Sequence, residues 1–210
     1  MLQLRPHDGQ GQVGVQQVGL EDERPLRSLP ASVLNRDYLK GYEFLTDRPL
    51  LVVLNRSEDE AAVPMPDRLA ARLGELHAAG LVLSASVEAE IAAMDAADQA
   101  AFLADLGLTE SASARFIRTA YGLLDLISFF TVGEDEVRAW TIRRGTTARQ
   151  AAGRIHSDLE RGFIRAEVTP YAVFMEYRSE QAVRDAGRLH VEGKDYLVAD
   201  GDILHIRFNV

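Results

Sequence analysis

Ala139-Trp140-Thr141-Ile142-Arg143-Arg144-Gly145-Thr146-Thr147 is a strand-like run that stops on a glycine turn, and the residues just after it decide the fold. Thr147-Ala148-Arg149-Gln150 has capping-box spacing. The threonine hydroxyl can accept from the Gln150 amide while the glutamine side chain reaches back. The helix so opened is expected to run through Ala151, Ala152, Ile155 and Leu159 to a stop at Gly162. Residues 163–168 read as a strand and 189–198 as a hairpin around Gly193. Asp200-Gly201-Asp202 is a turn into a last strand over 203–208. Strand, capped helix, buried strand and closing hairpin predict a small β-grasp module over 137–210.

Upstream the pattern differs. Pro49-Leu50-Leu51-Val52-Val53-Leu54 is a continuous apolar run of strand length, expected to be buried on both faces. From Pro66, Leu69, Leu73 and Leu76 share one helical face, with Gly80 as the expected stop. Leu81-Val82-Leu83 reads as a second buried strand, closed by Ser84-Ala85. A helix from Val87 through Ile91 and Met94 to Phe102, Leu103 and Leu106 ends at Gly107, and Phe116 to Leu124 mark another. Strand, helix, strand, helix with short turns predicts a parallel βαβ arrangement over 48–136. Residues 1–20, rich in glycine and glutamine, read as unstructured, and 21–47 as a short helical segment that opens at Ser32 and ends near Gly41. The fold class is therefore α+β.

Composition sets bounds on function. The 210 residues are 47% hydrophobic and 26% charged, ordinary for a globular protein of one or two domains. No apolar run is long enough to span a bilayer, and the N-terminus lacks the pattern of a signal peptide, so no membrane role and a cytoplasmic location are expected. The absence of cysteine excludes disulfides and thiolate chemistry within these residues. The net charge of −9 is uneven: 127–210 carry 12 Lys/Arg against 13 Asp/Glu, whereas 1–126 carry 11 against 19. The acidic half repels nucleic-acid phosphates at long range, and the other half is free to present a local basic face.

Few residues invite chemistry. A phosphate cradle needs G-x-x-x-x-G-K-[ST], and Gly187 to Gly193-Lys194 is one residue too long and is followed by Asp195. The five histidines show no metal-ligand spacing, and His190 and His205, which could face each other across strands, read as sheet histidines. Asp200 and Asp202 sit where turns favour acidic residues. Asn55-x-x-Glu58 is placed more suggestively, at the carboxyl end of a strand, where open α/β sheets bind ligands. An Asn amide can donate and accept against a purine edge, and a carboxylate can accept from an amine. Ser84 and Ala85 would bring backbone amides to the same rim. The alternative is plain turn chemistry.

The runs 138–146, 150–168 and 192–202, with Ser128-Phe129-Phe130-Thr131 upstream, resemble the C-terminal part of the YchF or Obg-like ATPase family. The resemblance covers roughly residues 20–210 and is strongest after Leu106. It implies that 137–210 are a TGS domain, a ubiquitin-like β-grasp shared with threonyl-tRNA synthetases and SpoT-type enzymes. It also implies that 48–136 are the last part of a P-loop-type G domain and 21–47 the end of a helical insertion. Asn55 and Glu58 fall on the family's N-x-x-E base-specificity motif, linked there to a preference for ATP over GTP, and Ser84 and Ala85 on its Ser-Ala element. Arg56-Ser57 depart from the residues usual between the Asn and the Glu. The family's P-loop and switch segments have no counterpart in these residues.

The resemblance thus implies a nucleotide hydrolase that uses ATP and magnesium when full-length, while this chain alone is expected to need no cofactor. It leaves two readings: an interaction module for ribosome, RNA or protein, or a nucleotide-binding ATPase fragment completed by other sequence. On the first, Arg143, Arg144 and Arg149 would converge with backbone amides on an anion at the helix start, backed by Arg154, Arg165 and Lys194. The alternative is that these are solvated surface charges. Weak adenine-nucleotide binding and self-association through an exposed sheet edge are further expectations.

Overall fold

A computed structural model describes residues 24–30, 34, 39, 41–133 and 136–209. The expectations for 1–20 and for the helical start at Ser32 lie outside these residues. The chain divides into two compact units, Met1–Leu123 and Leu124–Val210.

In the first unit β1 (Leu51–Asn55), α1 (Asp67–Glu75) and β2 (Ala79–Leu83) form the expected strand-helix-strand unit. The strands pair in parallel from Leu51↔Ala79 to Asn55↔Leu83. Pro66 precedes α1 and Asp67 lies in its first turn, where a carboxylate complements the helix dipole. The helix closes on His77, in the left-handed conformation at φ 48°, rather than on Gly80. Gly80 lies inside β2, where a Cβ would come within 2.8 Å of Leu73 and Met65. It lets the α1 side chains pack onto the strand. β1 is not buried on both faces as expected: Val53 is 43% exposed, and no residue of the strand is fully buried among the described residues.

The long helix expected from Val87 to Leu106 is two helices, α2 (Ala85–Ala93) and α3 (Ala96–Asp105). The carboxylate of Asp95 accepts from the Ala97 and Asp98 amides and caps a new helix, ending the old one. α4 (Ala112–Leu123) is capped from a distance, the Glu88 carboxylate accepting from the Ala112 and Ser113 amides at 2.6 and 3.2 Å. Ala61, Val87 and Ile91 form a small core with Phe102, Leu103, Leu106 and Leu108.

The second unit starts before the expected boundary at 136/137. β3 (Leu126–Val132) pairs residue for residue with β4 (Val137–Arg143), so it belongs to the C-terminal sheet. After them come α5 (Ala148–Ile155), α6 (Ser157–Arg161), β5 (Phe163–Pro170), α7 (Tyr171–Tyr177), α8 (Glu180–Asp185), β6 (His190–Glu192) and β7 (Asp202–Phe208). The strand order is β4-β3-β7-β5-β6, with β7 parallel to β3 and antiparallel to β5. Ile127, Phe129, Ile142, Ala148, Ala151, Ala166, Val168, Val198 and Leu204 make a single core. Phe129 is fully buried and stacks on Trp140.

Three expectations change here. The helix after Thr147 breaks at His156, whose Nδ1 accepts from the Asp158 amide and starts α6. The hairpin around Gly193 does not form: His190–Glu192 pairs with β5, and Leu197 bridges Thr147 instead. His190 and His205 do not face each other, since β5 lies between their strands. The capping box of Thr147 and Gln150 is present as read.

Candidate functional site

The ends of β1 and β2 make the first candidate site. Because the strands are parallel and in register at Asn55↔Leu83, the residue after β1 and those after β2 lie on one rim. The Ala85 amide donates to the Asn55 side-chain oxygen at 3.0 Å, and the Arg56 amide donates to the Leu83 carbonyl at 2.8 Å. With its oxygen so held, Asn55 presents its amide NH2, a donor pair suited to a ring-nitrogen acceptor. Ser84 is buried, its hydroxyl 3.0 Å from that of Ser86. Glu58 opens an exposed 3-10 turn, Glu58–Glu60.

Arg56, the departure from the expected motif, is turned inward. Its guanidinium donates to Glu60 at 3.1 Å and to the Pro64 carbonyl at 3.5 Å, and its side chain is 15% exposed. It staples the loop that carries Glu58. A hollow of about 630 Å³ lies along α1, lined by Pro66, Arg68, Leu69, Ala71, Arg72 and Glu75. None of the rim residues lines it.

The second candidate, the start of α5, is assembled differently from expectation. Its first amides already have partners: Ala148 donates to the Tyr196 carbonyl at 2.8 Å, Arg149 to the Lys194 carbonyl at 3.4 Å and Gln150 to the Thr147 hydroxyl at 3.4 Å. The Thr147 amide donates to the Gln150 side chain. These amides are not free to converge on an anion as expected, because the segment before β7 folds back onto this helix end. Arg144 pairs with Asp125 at 3.1 Å, and Arg149 donates to the Glu160 carbonyl. Arg143, Arg154 and Lys194 are exposed and have no ion pair among the described residues.

Asp200 and Asp202 act in the fold. Asp200 accepts from the Ser128 amide, and buried Asp202 accepts from the Tyr196 hydroxyl and the Ala199 amide, each at 2.8 Å. Burial, then the bond to Asp202, pushes the Tyr196 phenol above its ordinary range. Among the described residues no group of three or more His, Asp or Glu is placed to hold a metal ion, and no helix is long and apolar enough to cross a membrane.

One cluster escaped the sequence. Glu167 on β5, only 5% exposed, receives two N–H bonds from Arg207 on β7, at 3.0 and 3.1 Å, and one from Arg184 on α8, at 3.2 Å. Arg165, expected at the basic face, stands 4.0 Å from the same carboxylate. The bond to Arg207 holds the Glu167 carboxyl below its usual range, against the opposing effect of burial. Its partners lie 17 and 40 residues away in the chain, so no local pattern announces it.

Residues 126–209 match a family model named YchF-GTPase_C and described as a protein of unknown function, DUF933. Over 195 residues the chain is 42% identical to the ribosome-binding ATPase YchF of Bacillus subtilis, covering 90% of this chain and 53% of that one. The chain belongs to the YchF, or Obg-like ATPase, family. It is also 40% identical to Obg-like ATPase 1 of Gallus gallus over 179 residues, covering 82% of this chain and 45% of that one. The structure of the Schizosaccharomyces pombe YchF GTPase superposes with a TM-score of 0.81 at 31% identity, covering 92% of this chain and 52% of that one. The chain thus spans about half the length of the YchF relatives it matches, and corresponds to their C-terminal half.

Proposed function

We propose that this chain is the interaction half of a YchF-type protein, docking on the ribosome in the cytoplasm through a β-grasp, TGS-type C-terminal unit. The observation that carries the reading is the completeness of that unit. Its five strands close around a single core, its turns are pinned by Asp200 and Asp202, and its arginines lie at the surface. Relatives that share the unit are named ribosome-binding. A cationic surface is the means by which such a module would hold ribosomal RNA, since phosphate affinity follows cation density. Arg143, Arg144, Arg149, Arg154, Arg165 and Lys194 are the candidates. Co-sedimentation of the purified chain with ribosomes at stepped salt tests the reading. Salt-sensitive binding is expected, and its absence at low salt would overturn it.

A second reading is favoured by one contact, the hydrogen bond from Ala85 to Asn55. It pre-orients the Asn55 amide for a purine ring, with Glu58 on the adjoining turn as acceptor for an adenine amine. On this reading the first unit is the closing part of a P-loop-type G domain, and it reads the base of ATP. The residues present fit the base end of a nucleotide and not its phosphates or magnesium, for which this chain offers no glycine-lysine cradle. The chain alone should therefore bind ATP or GTP weakly and hydrolyse neither. Turnover by the purified chain, abolished in Asn55→Ala, would show that the catalytic parts are here after all.

A further inference from the structure

On the sheet face turned away from α5, two arginines stand opposite each other across neighbouring antiparallel strands. Arg165 on β5 is the register partner of Arg207 on β7. Like charges placed directly opposite on a sheet are unfavourable, so the arrangement calls for a reason. The next register pair on that face is Glu167 with His205, and α8 adds Arg184. Glu180 is the other carboxylate whose charge acts on Arg207. Three permanent cations thus gather around one buried carboxylate, with one further acid nearby.

Donors and acceptors are unevenly matched. Each guanidinium carries five N–H donors, and Glu167 takes three in all, two from Arg207 and one from Arg184. Arg165 at 4.0 Å is paired by charge without a hydrogen bond. The side chains of Arg165, Arg184 and Arg207 are 53%, 49% and 43% exposed, so each stays accessible to a partner from solvent. The buried carboxylate fixes where two of these forks point, which lowers the ordering cost of binding an oxyanion across them.

We infer that this arginine platform, and not the start of α5, is the surface with which the C-terminal unit grips RNA phosphates. The inference rests on the ribosome-docking reading above. At the α5 end the amides are already bonded and Arg144 is paired with Asp125, whereas the platform holds two forks at Glu167 with a third, Arg165, beside them. Arginine is the side chain whose planar fork matches phosphate oxygens two at a time.

The test uses the full chain, purified ribosomes and, separately, ribosomal RNA stripped of protein, at stepped salt. Arg165→Ala removes a side chain that makes no hydrogen bond to Glu167. It should weaken binding to both probes roughly ten-fold at low salt and flatten the salt slope by about one. Arg165→Ala with Arg184→Ala should lose more, and more than Arg143→Ala/Arg144→Ala/Arg149→Ala, whose loss should not exceed the general weakening that removing three surface cations brings. If loss of Arg184 unfolds the unit, Arg165→Ala alone decides. Parental binding by Arg165→Ala overturns the platform and leaves the docking reading standing, most clearly if the α5 triple variant loses binding. Ribosome binding without RNA binding places the contact on ribosomal protein and also overturns it. A parent chain that binds neither probe sinks both proposals.

Discussion

The two units solve the same problem, burying a sheet, with unequal means. The C-terminal sheet has five strands, three of them flanked on both sides, over a core of nine buried residues. The N-terminal sheet has two described strands, and its α2 to α4 region is organised around three buried residues, Ala61, Val87 and Ile91. There, side-chain caps do much of what ladder bonds do in the other unit, as with Asp95 on α3 and Glu88 on α4. A unit built on long-range strand pairing resists local opening, because no central strand can leave without breaking two ladders. A unit built on caps and one short ladder opens piecemeal.

The largest test of this contrast is a pair of core truncations. Phe129→Ala should cost roughly 3–5 kcal/mol in denaturant unfolding, and Val87→Ala about 2 kcal/mol. Hydrogen exchange should show slower amides in β3, β5 and β7 than in β1 and β2. Equal costs, or faster exchange in the five-stranded sheet, would break the comparison.

The next test is electrostatic and confined to the larger sheet. The Glu167 carboxyl is held below its usual range by Arg207. Its contribution to stability is therefore complete above the unfolded carboxyl value, near 4.3, and is lost as pH falls through the lower folded value. Glu167→Gln leaves two half-exposed guanidiniums against a neutral amide and should cost about 1–2 kcal/mol at pH 7. The parent and variant stability curves should converge in acid. A constant gap down to pH 2 would mean that the carboxylate is not what holds Arg207 and Arg184.

The smallest effects should not distinguish the units, and that sharpens the contrast. Thr147→Ala and Asp95→Ala each remove an N-cap oxygen and should each cost about 1 kcal/mol in thermal unfolding. A much larger loss for Asp95 would mean that the break between α2 and α3 organises the whole N-terminal unit.

Where interactions are local, the sequence was a good guide. The capping box of Thr147 and Gln150, the turn before β7 and the parallel β1-α1-β2 unit were legible, because each depends on residues a few positions apart or on an uninterrupted apolar period. The closeness of Asn55 to Ser84 and Ala85 was legible because both follow strands of one parallel pair, and the register Asn55↔Leu83 brings the Ala85 amide to Asn55. Misreadings came where two local solutions compete. His190 to Val198 has a good hairpin pattern, yet His190–Glu192 finds a better partner in β5 and Leu197 in Thr147. Met94 to Ala96 could continue a helix, but Asp95 offers its carboxylate to a new one.

By itself the amino-acid sequence determined the family, the capping box at Thr147, the parallel pair with its rim, and a C-terminal half freed from the acidity of the rest. Only the tertiary structure decided which strands are neighbours, that the amides at the start of α5 bond to the segment before β7, and that Arg184 and Arg207 meet at Glu167. The division has a physical cause. A capping box and an apolar period are settled within a turn or two of chain, whereas the Glu88 cap on α4 and the ion cluster at Glu167 exist only after chain segments distant in sequence have closed, against the entropy of the loops between them, and packed.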